Sequence, residues 1–207
     1  MKQVPLLIAL AFSLSLCNLS EKLKKTGNSN STSSGSSPTK IGDDPVELPS
    51  PTSAQQAAIA GGQTVKWDQQ GLSWTAPTRW RQQDNEATTF TWGSGDGAFL
   101  IVSISPMDAS FPTDISIRAF HDQAKTRQKN GEVDELKWLE LDGVRGVEFR
   151  ESKPAKADDI RRLQWMAYRK YAGQTQLVNI ILSSRGDNFV KHQDELYGVL
   201  YTTKITH

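Results

Sequence analysis

The residues able to do chemistry in this chain are few and widely spaced. Its three histidines, His121, His192 and His207, show no HExxH or comparable metal-binding spacing. A Ser-His-Asp site draws its members from distant positions, so chain order alone does not rule one out. No G-x-S-x-G elbow singles out a serine, however. His121 and His192 fall in segments of helical spacing and are expected on solvated helix faces. The run Gly93-Ser94-Gly95-Asp96-Gly97 has the glycine content of a phosphate-cradling loop. That chemistry needs a helix N-terminus after the glycines, pointing at the anion. Here an apolar strand pattern follows, so a tight hairpin turn is expected. Asp96 alone cannot supply the six or more oxygens of a calcium site. The single cysteine, Cys17, excludes an internal disulfide framework and a cysteine-rich zinc site. No catalytic residue is assigned, and neither a metal nor a cofactor is implied.

Aromatic residues offer a different chemistry, that of recognition. Six tryptophans (Trp67, Trp74, Trp80, Trp92, Trp138 and Trp165) occur in one domain, and each can bury about 150–250 Å². Most are expected in the core. Trp and Tyr are also enriched at partner surfaces. Trp165, Tyr168 and Tyr171 lie on one long hairpin with more aromatic area than a sheet face needs, and they are the candidate partner surface. Asp158-Asp159 and Arg161-Arg162 read as a solvated loop.

The elements that must position these residues occupy the last two thirds of the chain. Of 207 residues, 24 are basic and 23 acidic, for a net charge of +1. A nucleic-acid binder would be distinctly basic, so that class is excluded. The segment 87–92 (ATTFTW) alternates with period two, and 98–105 (AFLIVSIS) is apolar on both faces. Segments 137–141, 144–149, 162–171 and 177–182 also read as strands. Asp142-Gly143 supplies the two positive-φ positions of a type I′ hairpin turn, and Ala172-Gly173-Gln174 joins the next pair in the same way. A helix capped by Thr113 carries Ile117, Phe120 and Ala124 inward and stops at Gly131. A second helix begins near Asp187 and buries Phe189, Leu196 and Leu200. The expected fold class is α+β: a mainly antiparallel sheet of about six strands packed with two main helices.

The first 62 residues differ from the rest. Residues 4–16 (VPLLIALAFSLSL) are almost wholly apolar. Thirteen residues at about 1.5 Å rise span roughly 20 Å, short of the ~30 Å hydrocarbon core. Residues 1–16 therefore read as a signal peptide rather than a spanning helix. Residues 17–62 are polar, rich in Ser, Asn, Gly and Pro, and read as a disordered linker in which 54–60 could form one helical turn before Gly61-Gly62. Residues 63–207 form the folded domain. Lys22, Lys24 and Lys25 either begin a solubilising linker or touch anionic headgroups.

Two family resemblances follow. Cys17, after Leu14-Ser15-Leu16 at the end of the apolar run, resembles the lipidated cysteine of the bacterial lipobox, although Leu16 is larger than the Gly, Ala or Ser usual there. The resemblance implies cleavage before Cys17, acyl chains on it and anchoring to a membrane. GLSWTAPTRW (71–80), followed by hairpin, helix, Asp-Gly hairpin, long hairpin and helix, resembles PsbP-like domains. These include the extrinsic photosystem II subunit, a eukaryotic Ran-binding import factor and bacterial lipoproteins of the DcrB and LpqN type. The resemblance implies an exported, membrane-anchored protein of the bacterial cell envelope. Its domain would be a non-enzymatic binding or assembly module for an envelope protein or a small ligand. An envelope hydrolase with a triad assembled from distant residues, a spacer without a ligand and a subunit of a membrane complex are the alternatives.

Overall fold

The computed structural model describes residues 45–206. The signal peptide (1–16), Cys17, the first part of the linker and His207 lie outside the described residues.

Among the described residues ten strands and three α-helices follow one another. Helix α1 (Ser53–Ile59) leads into β1 (Gln63–Trp67), a 3₁₀ turn (Asp68–Gln70) and β2 (Leu72–Ala76). Next come β3 (Arg81–Asn85), β4 (Thr89–Gly93), β5 (Phe99–Met107) and helix α2 (Thr113–Lys129). Strands β6 (Val133–Leu141), β7 (Val144–Glu151), β8 (Ile160–Tyr171) and β9 (Gln174–Arg185) precede helix α3 (Phe189–Tyr201) and β10 (Lys204–Ile205). A seven-stranded sheet has the order β3-β4-β5-β9-β8-β7-β6, and a three-stranded sheet the order β1-β2-β10. Every ladder in both sheets is antiparallel. The α+β class is therefore as expected, with four more short strands than the period-two patterns reveal.

The expected turns form. Asp142 and Gly143 have φ of 48° and 85°, and Ala172 and Gly173 have 50° and 78°. These are the left-handed pairs that let a two-residue loop follow the strand twist. The glycines at 93–97 join β4 to β5 as a hairpin. Thr113 is not the cap of α2. Pro112 holds that place and makes no side-chain cap bond, so Thr113 opens the helix instead.

The main core lies between one face of the large sheet and a layer made by α3 and the small sheet. It joins Val65, Trp67 and Trp74 to Phe90, Leu100, Ile180, Trp165, Phe189 and Leu196. Phe90 stacks on Trp67 at 5.4 Å and on Trp74 at 5.6 Å. A smaller core on the opposite face sets Ile117 and Ala124 of α2 against Trp138, Val147 and Phe149.

The linker, expected to extend to residue 62, is ordered in its last part. Thr52 caps α1 through a reciprocal box: its hydroxyl accepts from Gln55 N while Gln55 Oε1 accepts from Thr52 N. Gly198 lets α1 seat on α3, since a Cβ there would stand 2.7 Å from Gln55 O and 2.9 Å from Ile59 Cγ2. Glu47 also runs parallel to β6, donating to Trp138 O and accepting from Glu140 N, both at 2.9 Å. Low hydrophobicity hid this segment because its fixings are backbone bonds and caps, not buried side chains. Thr52→Ala should cost about 1 kcal/mol of α1 stability, read as faster amide exchange across 53–59. Unchanged exchange there would contradict the capping role.

Candidate functional site

Alternation along β8 decides the fate of the aromatic surface expected from the sequence. Odd-numbered residues of this strand face α3 and even-numbered residues face α2. Trp165 is fully buried (0% exposed), and its indole Nε1 donates to Leu139 O at 3.0 Å. It therefore presents nothing to a partner, and the three aromatics do not form one surface. Tyr171 is half-buried beneath the Arg169 guanidinium, 4.4 Å from its ring centroid, and against Gly71. Tyr168 faces α2, where its hydroxyl meets that of Ser116 at 2.8 Å and its ring lies 5.6 Å from that of Phe111. Burial raises the Tyr168 phenol pKa, and the Ser116 hydroxyl opposes that rise.

Tyr168 lines a cavity of about 530 Å³ that the strand pattern explains. The β7–β8 ladder stops at the pair Gly146↔Ala167, although β7 begins two residues earlier and β8 runs on to Tyr171. Beyond that pair the two hairpins part, and the backbones of 144–145 and 168–170 no longer bond to each other. The first turn of α2 roofs the gap with Thr113, Asp114 and Ile117. Trp138 of β6 forms part of the wall, stacked on His121 at 4.7 Å and 11° and covered by the Arg145 guanidinium at 4.3 Å. Arg169 also lines the cavity. Its Nη2 donates to Gln70 O at 2.6 Å and its Nε to Gln176 Oε1 at 3.1 Å. Burial lowers the Arg169 pKa from its ordinary value.

The histidines are not placed as expected. His192 is buried (1% exposed) rather than solvated. Its Nδ1 lies 3.0 Å from Glu195 Oε2, and its Nε2 lies 3.3 Å from Asn188 Nδ2 and 3.6 Å from Asp96 Oδ2. Glu195 also accepts from Trp80 Nε1 at 2.7 Å and from Arg79 at 2.6 Å. The Pro77–Trp80 element is thereby fastened to α3, and the glycine turn is fastened through Asn188 and Lys191 to Asp96. The Ser94 hydroxyl, with Lys191 and His192 adding to it, holds the Asp96 carboxyl down at about 2. These groups act as struts, and none of the hydrogen bonds described to either histidine comes from a serine. Among the described residues no group of three His, Cys, Asp or Glu could hold a metal ion.

A second buried polar cluster lies outside every sequence expectation. Glu148 of β7 is fully buried with Lys137 Nζ 3.3 Å away. Lys137 is also 3.5 Å from both Glu135 and Glu47, and it donates to the Tyr201 hydroxyl at 3.1 Å. The signal was a lone carboxylate set among apolar strand neighbours (VRGVEF). Arg161 likewise belongs to strand β8, paired with Asp134 and 4.5 Å over the Phe189 ring, and not to a solvated loop. The cavity residues Arg145, Arg169 and Lys170 gave no sequence signal, because the place where a ladder stops is set by three-dimensional twist.

No protein-family model matches the chain, and no curated protein sequence matches it. Solved structures do. A cyanobacterial PsbP from Synechocystis sp. PCC 6803 is 15% identical, over 70% of this chain and 92% of that one, with a TM-score of 0.45. The Saccharomyces cerevisiae Ran-binding protein Mog1p is 11% identical, over 70% of this chain and 95% of that one, at 0.40. A protein from Bacteroides thetaiotaomicron VPI-5482 is 13% identical, over 66% of this chain and 46% of that one, at 0.39.

Proposed function

We propose that the chain is an exported lipoprotein whose domain is a non-enzymatic binding or assembly module at a bacterial cell envelope. In this reading residues 1–16 are a signal peptide, Cys17 carries the lipid, and the polar segment after it tethers the domain. The observation that carries the reading is positional. The only cysteine falls where a short apolar run ends and a polar stretch begins, well before the ordered domain. A lipid anchor of two or three acyl chains holds a protein stably on a membrane, at about 0.8 kcal/mol per buried CH₂. The two described histidines lie in packing roles, and a cavity lined by aromatic and charged groups opens at one end of the sheet, so the domain is fitted to hold a ligand or partner.

Mass spectrometry of the membrane fraction should show Cys17 as the new N-terminus bearing a diacylglyceryl group and an amide-linked acyl chain. Cys17→Ser should move the protein to the soluble fraction. An unmodified Cys17, or its removal with the leader, would reject the anchor. A crosslinked pull-down with the acylated protein should then capture a defined envelope partner.

A further inference from the structure

We propose that the cavity between the ends of β7 and β8 binds a small organic anion: a carboxylate or phosphate head on a flat apolar body. The proposal rests on the binding-module reading above and supplies its ligand class.

The lining is unbalanced in charge. Beside Arg145, the wall carries Arg169 and Lys170, two cations with no described ion pair, against one exposed carboxylate, Asp114. The imbalance is local, since the chain as a whole carries only +1. A neighbouring depression of about 300 Å³ shows the contrast. It has two lysines and two aspartates, with Lys204 bonded to Asp142 at 3.1 Å. A third hollow, of about 550 Å³, is lined by 107–109 and 172–175 and carries no cation.

Two residues of this cavity's wall carry buried N–H groups that no described acceptor meets. Trp138 is 4% exposed and its Nε1 has no hydrogen-bond partner among the described residues. Arg169 is 6% exposed and its Nη1 likewise has none among them. Both are N–H donors, which are costly to leave unmet in a buried place. The 17-residue helix α2 opens on the same cavity without a side-chain cap, adding backbone donors and the positive end of its dipole. Donors and positive charge together call for an acceptor carrying negative charge, and bonds from arginine to carboxylate or phosphate are among the stronger hydrogen bonds.

The rest of the wall sets the shape of the body. Ile117, Val144, Trp138 and Tyr168 give apolar and aromatic surface beside the cations. Such a site accepts a flat hydrocarbon portion whose acidic end turns toward Arg169 and Lys170. The volume, about 530 Å³, is that of a small-molecule pocket.

The test uses the purified full-length protein and fluorine NMR of two probes, 4-(trifluoromethyl)benzoate and its neutral amide. The benzoate should bind at least tenfold tighter than the amide. Lys170→Glu, at an exposed strand position, should weaken the benzoate about tenfold. Lys156→Glu, the same charge change outside the cavity, should leave it within twofold. Detergent uptake of the probe is common to all samples and cancels. Displacement by inorganic phosphate would assign the head to the phosphate class, and its failure to displace would assign it to the carboxylate class. Equal binding of benzoate and amide, or equal effects of the two lysine substitutions, would overturn the proposal. If that happened while the acylated protein still captured a partner, the binding-module reading would stand without this ligand class.

Discussion

Trp165→Ala should cost about 3–5 kcal/mol, enough to leave the domain largely unfolded at moderate denaturant. The indole is fully buried in the main core, and its Nε1 bonds to Leu139 O across β7. It crosses β7 over Gly146, where a Cβ would stand 2.5 Å from the indole and 2.6 Å from Met166 O. The alanine variant loses the packing, opens a cavity and leaves the Leu139 carbonyl without that donor. Tyr168→Phe, three residues along the same strand, removes one hydroxyl at a half-buried site and should cost about 1 kcal/mol. Urea unfolding with unchanged m-values measures both. A cost below about 1 kcal/mol for Trp165→Ala would refute its place in the core.

The second large effect is a dependence of stability on pH near neutrality. Burial pushes the Glu148 carboxyl from its ordinary 4.5 up to about 7. Lys137 pulls it back down, while Glu135 and Glu47 push it further up. The folded protein therefore holds a proton that the unfolded chain has released. Stability is greatest below about pH 4.5 on this account, falls as pH rises toward 7, and levels off above. The loss is on the order of 3 kcal/mol, since each tenfold difference in proton affinity between folded and unfolded chain is worth about 1.4 kcal/mol. Burial works to lower the Lys137 pKa, but Glu148 and the Tyr201 hydroxyl outweigh it and raise the ammonium overall, so its contribution stays constant until pH exceeds its ordinary 10.5. The Tyr197 and Tyr201 phenols, both raised by burial, also stay protonated through this range. Asp96, held low, acts only below about pH 4. Glu148→Gln should remove most of the slope between pH 5 and 8 and be the more stable form at pH 8. A wild-type protein equally stable at pH 5 and pH 8 would rule this out.

What the sequence revealed follows from which forces are local. Period-two patterns exposed β4 to β9, because a strand buried on one or both faces writes its environment into consecutive residues. Asp142-Gly143 and Ala172-Gly173 exposed two hairpins, because the left-handed backbone they adopt demands particular residues. Strand β3 (RQQDN) stayed hidden since it is an edge strand with no apolar face. Strand β10 has two residues, too few for any period. Tyr168 and Trp165 were singled out together, and the chain alone did not separate the half-buried residue from the buried one. Faces become inside or outside only when α2 and α3 are laid on the sheet. Glu195 could not be matched to Trp80 from the chain, since they meet across the main core from 115 positions apart.

The short parallel run at residue 47 has a consequence beyond fixing the end of the linker. An open strand margin invites pairing with another molecule, and long sheets are at risk of growing by accretion. One margin of this sheet is the short, hydrophilic β3, while the other is β6, nine residues long and richer in Leu, Val and Trp. The chain's own Glu47 occupies part of β6's outer hydrogen-bonding row, so each molecule blocks its own vulnerable side. A version shortened to begin after residue 52 would bare that margin and should polymerise or bind amyloid dyes at concentrations where the full-length protein stays dispersed.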